Sequence, residues 1–361
     1  MSSLTFPTGR EEAWRWADLA ALPALADASP QGHVPDISHL WIGDGPRLLF
    51  VDGKLLASAS RPEGIALGAV TATTNHPLGA FANGKPGWTL SLGRDHAASA
   101  TIEIIHVGTG GASHLPARIM LAEDAQASIV ETFVGDGWAN RLTVIDLASS
   151  ARLMRAIRIL SATGFVSLRE EAKAGENASL TTTVLGLGGA GTRIDAAVTL
   201  TEEGAYAEVG GALLARGEQK HDAAVVIRHA APLGTSRQLW RAVADDKAAA
   251  SMAARAEVAR DAQKTDGAQS LRGLLLQRTA TINLKPELEI FADDVKCAHG
   301  ATVGELDANA LFYLESRGLP PALAEALLTR AFVAAAIDRI GDETVREAFA
   351  KDAEDWMEGA L

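Results

Sequence analysis

From about Thr89 onward the chain runs in short alternations of apolar and polar residues, each bounded by a turn. TIEIIHV, ARIMLA, SIVETFV, RLTVIDL, RLMRAIRIL and SLTTTVLGL come first, and IDAAVTL, AEVGGALL and AAVVIRHA continue the series. Period-two alternation marks half-buried strands. Almost no helical pattern interrupts them before residue 300. A sandwich and a solenoid both produce such a run of strands. A weak repeat points toward the solenoid, because a turn followed by a small residue leading into a strand recurs. With Ala127, Ala151, Ala178, Ala207 and Ala250 as markers, the first three steps are near-regular and suit one coil each. The last step is longer and calls for an insertion, for which Ala215–Asp222 is the candidate. A single coil cannot bury its apolar side chains, so coils stack and share a core.

The flanks read differently. Residues 11–22 predict an amphipathic helix with Trp14, Ala17 and Ala21 on one stripe. Residues 23–45 read as a linker. Arg47–Ser58 reads as a hairpin turning at Asp52-Gly53. Residues 71–88 read as an irregular loop. After Thr302 the period becomes helical. Glu305–Gly318 places Leu306, Ala310, Tyr313 and Leu314 on one side, and Gly318 with Pro320 and Pro321 stops it. Ala322–Ile340 is apolar almost all round, which suits a core or an interface. Asp342 is placed to cap a last helix carrying Val345, Phe349 and Trp356. The N-terminal element and these helices are the expected caps for the ends of a coil stack. The division is 1–88, 89–302 and 303–361.

Composition narrows the function. The chain has 361 residues, 47% of them apolar, and a net charge of −12. That charge opposes nucleic acid and anionic membranes as partners. No apolar run is long enough to span a bilayer, and the N-terminus lacks the basic start and apolar core of a secretory signal. The expected location is cytoplasmic. One cysteine excludes an internal disulfide framework.

That cysteine, Cys297, precedes His299 by two residues, in the stretch where strand pattern gives way to helix pattern. In an extended strand the two side chains share a face, and both are metal ligands. Two ligands do not complete a site, since an iron–sulfur cluster takes about four. Either Cys297 is structural, or the remaining ligands come from another chain. Two glycine motifs fail as nucleotide sites. Gly79–Lys85 is followed by Pro86 where a P-loop needs Ser or Thr, and Gly186–Gly191 leads into strand alternation instead of a helix. His106, His114, His221 and His229 have no ligand spacing and read as structural. No nucleophile elbow or cysteine dyad is evident, so the chain is expected not to be an enzyme. The alternative is a β-helical enzyme acting on polysaccharide, against which stand the scarce aromatics, 5% of residues, and the missing export signal.

The segment DDVKCAHGATVGELD followed by LFYLESRG resembles the C-terminal signature of the SufB/SufD family, scaffold subunits of the SUF iron–sulfur assembly machinery. Arg260–Gln277, His229–Val243 and Phe6–Leu19 are similar to the same family's pattern. The likeness is strongest over the last third of the chain. The Cys-x-His-Gly-Ala-Thr element favours the SufD branch over SufB. The resemblance implies a right-handed parallel β-helix core with an N-terminal helical and hairpin segment and a C-terminal helical domain. It implies that Cys297 and His299 face a partner subunit, as ligands of a transient cluster shared with a SufB-like scaffold. It also implies a SufC-like ATPase docked on the C-terminal helices, with no nucleotide on this chain, and a homodimer when the chain is isolated.

Overall fold

In the computed structural model, which describes residues 6–32 and 34–359, the alternating runs stack as a parallel β-solenoid of about eight turns. The chain enters through α1 (Leu22–Asp27), β1 (Arg47–Val51), β2 (Lys54–Leu55), β3 (Ile65–Ala69) and β4 (Pro86–Leu92). Two long strands follow, β5 (Ile102–Leu121) and β6 (Gln126–Leu147). Each bends so that its halves join different sheets. From there single strands alternate between the sheets: β7 (Arg152–Ile159), β8 (Phe165–Ala174), β9 (Ser179–Gly186), β10 (Gly191–Leu200), β11 (Tyr206–Ala215), β12 (Lys220–His229), β13 (Thr235–Ala244), β14 (Ala249–Val258), β15 (Asp266–Leu275), β16 (Thr281–Ile290) and β17 (Lys296–Glu305). Odd-numbered strands from β7 on build one parallel sheet and even-numbered strands from β8 on the other. Three helices end the chain: α2 (Ala308–Ser316), α3 (Pro321–Ile337) and α4 (Glu343–Met357).

Alternate residues of every strand point into the lumen, and register stacks like on like. Leu121, Leu147, Ala174 and Leu200 form one such column, each 4% exposed or less. The bends of β5 and β6 need glycine. Gly111 and Gly137 have φ of +69° and +85°, and a Cβ on Gly137 would meet the Gly111 carbonyl oxygen at 2.3 Å. The GTGGAS run between His106 and His114 is therefore a corner. TIEIIHV and ARIMLA are two limbs of one strand.

The register corrects the repeat. In the odd-numbered sheet the coils begin at Gln126, Arg152, Ser179, Tyr206, Thr235, Asp266 and Lys296. Ala127 and Ala207 share a column, whereas Ala250 pairs with His221 in the opposite sheet. The long last step thus spans one and a half coils. Ala215–Asp222 is no insertion but the turn from β11 into β12.

The expected helix at 11–22 is a single 3-10 turn, Glu12–Trp14, and α1 starts only at Leu22. Tertiary anchors replace helical hydrogen bonds there. The Arg193 guanidinium lies 4.3 Å from the Trp14 ring, and its Nη2 donates to the Ala13 carbonyl at 2.9 Å. Within 71–88 the structure has a 3-10 turn, Gly79–Ala82, and Pro86 already opens β4. The hairpin is present: Asp52 and Gly53 both have positive φ, and Phe50 pairs with Leu55. β2 lies antiparallel on β1, and β3 antiparallel on β4.

The C-terminal helices do not cap the stack. They lie along the flank of the odd-numbered sheet, where Val333, Ala336, Ile337, Val345, Phe349 and Trp356 cover outward residues such as Ala156, Leu185, Leu214 and Val243. Leu306, just before α2, and Ala310, Leu311 and Leu314 on it are partly buried, while Tyr313 faces solvent. Asp342 caps α4, its Oδ1 accepting from the Val345 N–H at 3.2 Å. Residues 1–5 of the expected signal-free start and residues 360–361 of the expected last helix lie outside the described residues. No helix among the described residues is long and apolar enough to cross a membrane. Phe349 has no exposed surface, so Phe349→Ala is expected to destabilise the protein by about 3–5 kcal/mol. Denaturant unfolding checks this, and a loss under about 1 kcal/mol would mean the helices are not docked as described.

Candidate functional site

The solenoid ends on two strands of ten residues, β16 and β17. Each has a single parallel neighbour, β14 and β15 respectively. Their other edges carry no strand among the described residues. Pro286 lies in β16, a placement sheets tolerate at an edge. The stack ends here in a depression of about 340 Å³, lined by Trp16, Ile282, Asn283, Leu284, Ala301, Thr302 and Val303.

Cys297 and His299 stand on β17, opposite Gly267 and Gln269 of β15. At the rise of a strand they are about 6.6 Å apart along one face. Cys297 is half-buried against the small apolar group of Val258, Ala262 and Ala292. Gly267 beneath it has no side chain, and a Cβ there would lie 3.4 Å from the Cys297 Sγ. Burial pushes the thiol pKa up. A backbone hydrogen bond from Gly267 opposes that shift, and the nearby Asp266 charge adds to it. His299 is exposed.

The corner before Cys297 is fixed by the corner below. Lys264 N–H donates to the Asp294 carbonyl at 2.5 Å, and Asp294 N–H to Gln263 Oε1 at 2.9 Å. Asp293 and Asp294 are exposed turn residues, and Lys296 points away from the Cys297 face. No group of three or more His, Cys, Asp or Glu residues able to hold a metal occurs among the described residues. Cys297 and His299 thus share a strand face with no third such ligand grouped with them among the described residues.

The other singled-out residues serve the core. His106 is sandwiched between Phe50 and Phe133, at ring separations of 5.6 and 4.5 Å. His114 lies against Phe81 and Trp138. His229 Nε2 is 2.8 Å from Ser236 Oγ, and His221 faces the lumen with 1% exposure. Burial holds all four pKa values down at about 4. The Gly79 motif leads into a strand, and the Gly186–Gly191 run is the turn from β9 to β10.

One buried cluster was not singled out from the sequence. Inside the lumen Arg155 donates to both Glu131 and Glu170. His106 Nε2 lies 3.2 Å from Glu131 Oε2, and Arg141 Nε donates to His106 Nδ1 at 3.3 Å. Burial works against the Glu131 charge, but Arg155 and His106 outweigh it and hold that carboxyl at about 2. Burial pushes Glu170 up despite Arg155. Strand parity was the available signal. Glu131 falls between Ile129 and Phe133, and Arg155 between Leu153 and Ile157, all inward positions.

Comparison with known proteins adds the following. Residues 105–332 match the family model for the SUF system FeS cluster assembly SufBD core domain. The chain is 28% identical over 376 residues to the iron–sulfur cluster assembly protein SufD of Escherichia coli, covering 94% of this chain and 87% of that protein. It is 38% identical over 154 residues to an iron–sulfur cluster assembly SufBD family protein of Synechocystis, covering 43% of this chain and 34% of that protein. A SufBD family protein of Mycobacterium leprae is 28% identical over 356 residues, covering 94% of this chain and 88% of that protein.

Proposed function

The chain belongs to the SufBD family of SUF-system iron–sulfur cluster assembly proteins, and on that premise we propose that it is the SufD-like, non-catalytic scaffold subunit of a cytoplasmic assembly with a SufB-like subunit and a SufC-like ATPase. The observation that carries this reading is the shared face of Cys297 and His299 on β17, the last strand of the stack and free along one edge. The cluster is cargo. Cys297 and His299 supply two of about four ligands, and the SufB-like subunit, seated on the open end, supplies the others. A thiolate ligand must first lose its proton. Burial raises the Cys297 thiol pKa, so ligation there releases a proton.

The ATPase docks on the outward side of the C-terminal helices. Phe312 and Tyr313 on α2, and Leu323 and Leu327 on α3, are exposed apolar residues, of the kind that marks a protein contact when clustered. The ATPase supplies the energy source, and the chain itself binds no nucleotide. Isolated, the chain pairs with itself through the same end.

Co-expression with SufB-like and SufC-like subunits, followed by native mass measurement, tests the assignment. The expected result is one complex containing all three. Recovery of this chain alone, while the other two associate, would overturn it.

A further inference from the structure

The N-terminal segment starts at the open end and crosses the outer face of the even-numbered sheet toward β8. Arg193 on β10 holds Ala13 and Trp14. Lys220 on β12 pairs with Asp18 at 2.5 Å. Leu19 and Leu22 are buried with Leu78, Trp138 and Phe165. Glu12 reaches Lys285 on β16, the last strand of this sheet, at 2.5 Å. The buried contacts of Trp14, Leu19 and Leu22, more than the exposed ion pairs, hold this segment on the sheet.

Trp16 stands out on it. Trp14, Trp88, Trp138, Trp240 and Trp356 are all buried. Trp16 is half-buried and lines the open-end depression together with Ile282, Asn283, Leu284, Ala301, Thr302 and Val303, a mixed polar and apolar rim. A partly exposed tryptophan beside unpaired strand edges has the character of an interface anchor.

We propose that this N-terminal strap is an arm of the docking interface at the open end, and that Trp16 anchors the incoming subunit. The occupant is a second β-solenoid end. The free edges of β16 and β17 present backbone N–H and C=O groups over ten residues each, on either side of an apolar lumen. Another pair of strands with apolar lumenal side chains satisfies both edges at once. The inference rests on the reading that the SufB-like subunit seats on this end, and names a residue outside the strands that sets how tightly it does so.

The test titrates the SufB-like subunit against the full chain. Trp16→Ala is expected to weaken association about 30-fold, the effect of an interface tryptophan worth about 2 kcal/mol, with the thermal midpoint of the free chain unchanged. Hydrogen exchange of the native chain is expected to slow over residues 10–18 on complex formation. This needs no substitution and so reads the same contact if the variant folds poorly. Val303→Asp, which puts a charge in the lumen mouth, is expected to abolish association altogether. Native affinity for Trp16→Ala, with no exchange protection and with Val303→Asp unable to associate, overturns the strap's role and leaves the open-end reading standing. Native affinity for Val303→Asp overturns both.

Discussion

Cells in which Cys297→Ala or His299→Ala replaces the native chain are expected to keep a folded, partner-bound subunit and to lose cluster maturation by about tenfold or more. The size follows from ligand chemistry. Removing a residue that merely orients a metal ligand lowers affinity or activity about 10- to 100-fold, and removing a ligand does at least as much. The retained fold follows from where the residues sit. His299 is exposed, so its loss moves stability by about 0.5 kcal/mol or less. Cys297 packs half-buried against a small apolar group that includes Val258, Ala262 and Ala292, where alanine fits with a small loss of contact. Activity of cluster-dependent enzymes in extracts measures the first outcome, and co-purification with partners the second. Normal maturation with both residues replaced would remove them from the site.

Arg155→Ala is expected to destabilise the fold by about 3–5 kcal/mol, because it leaves Glu131 and Glu170 in the lumen without their shared cation. The pH dependence gives a second readout. In the native chain Glu131 titrates at about 2, below its unfolded value. Its contribution is therefore present above about pH 4.5 and fades as pH falls toward 2. His106, depressed to about 4, likewise contributes above about pH 6.5 and loses that contribution as pH falls through 4. Without Arg155 the buried carboxylates have raised folded pKa values. Stability tied to them is then present below the unfolded carboxylate pKa and lost as pH rises. The gap between variant and native chain should narrow on acidification, and denaturant unfolding at pH 7 and pH 5 would resolve it. A gap that widens toward pH 5 contradicts the network. Replacing Glu131, Arg155 and Glu170 together with apolar residues of similar volume should recover most of the loss.

What could be read from the chain alone were features that live in local pattern. Alternation located the strands of the stack, Asp52-Gly53 the hairpin, and Asp342 the start of α4, because each depends on residues within one turn or strand. Trp14, Ala17 and Ala21 had helical spacing, but the ring of Trp14 serves Arg193, 179 positions away, and spacing cannot register that. The pairing of Cys297 with His299 on one face followed from parity. That their strand would be the uncovered one did not, since it depends on α3 and α4 choosing the flank of the odd-numbered sheet over its end. Ala250 misled for a related reason: small residues recur in both sheets, and only register separates the two series.

The antiparallel strands β2 and β3, laid over β1 and β4, carry a consequence for growth. A coil stack with two bare ends could polymerise head to tail without limit, as open heterologous contacts do. Here the beginning of the stack is blunted by strands running the wrong way to continue it, and only the finish is adhesive. Contacts made through that finish must be head to head. On the docking proposed above they close after one event, which favours a twosome over a fibre.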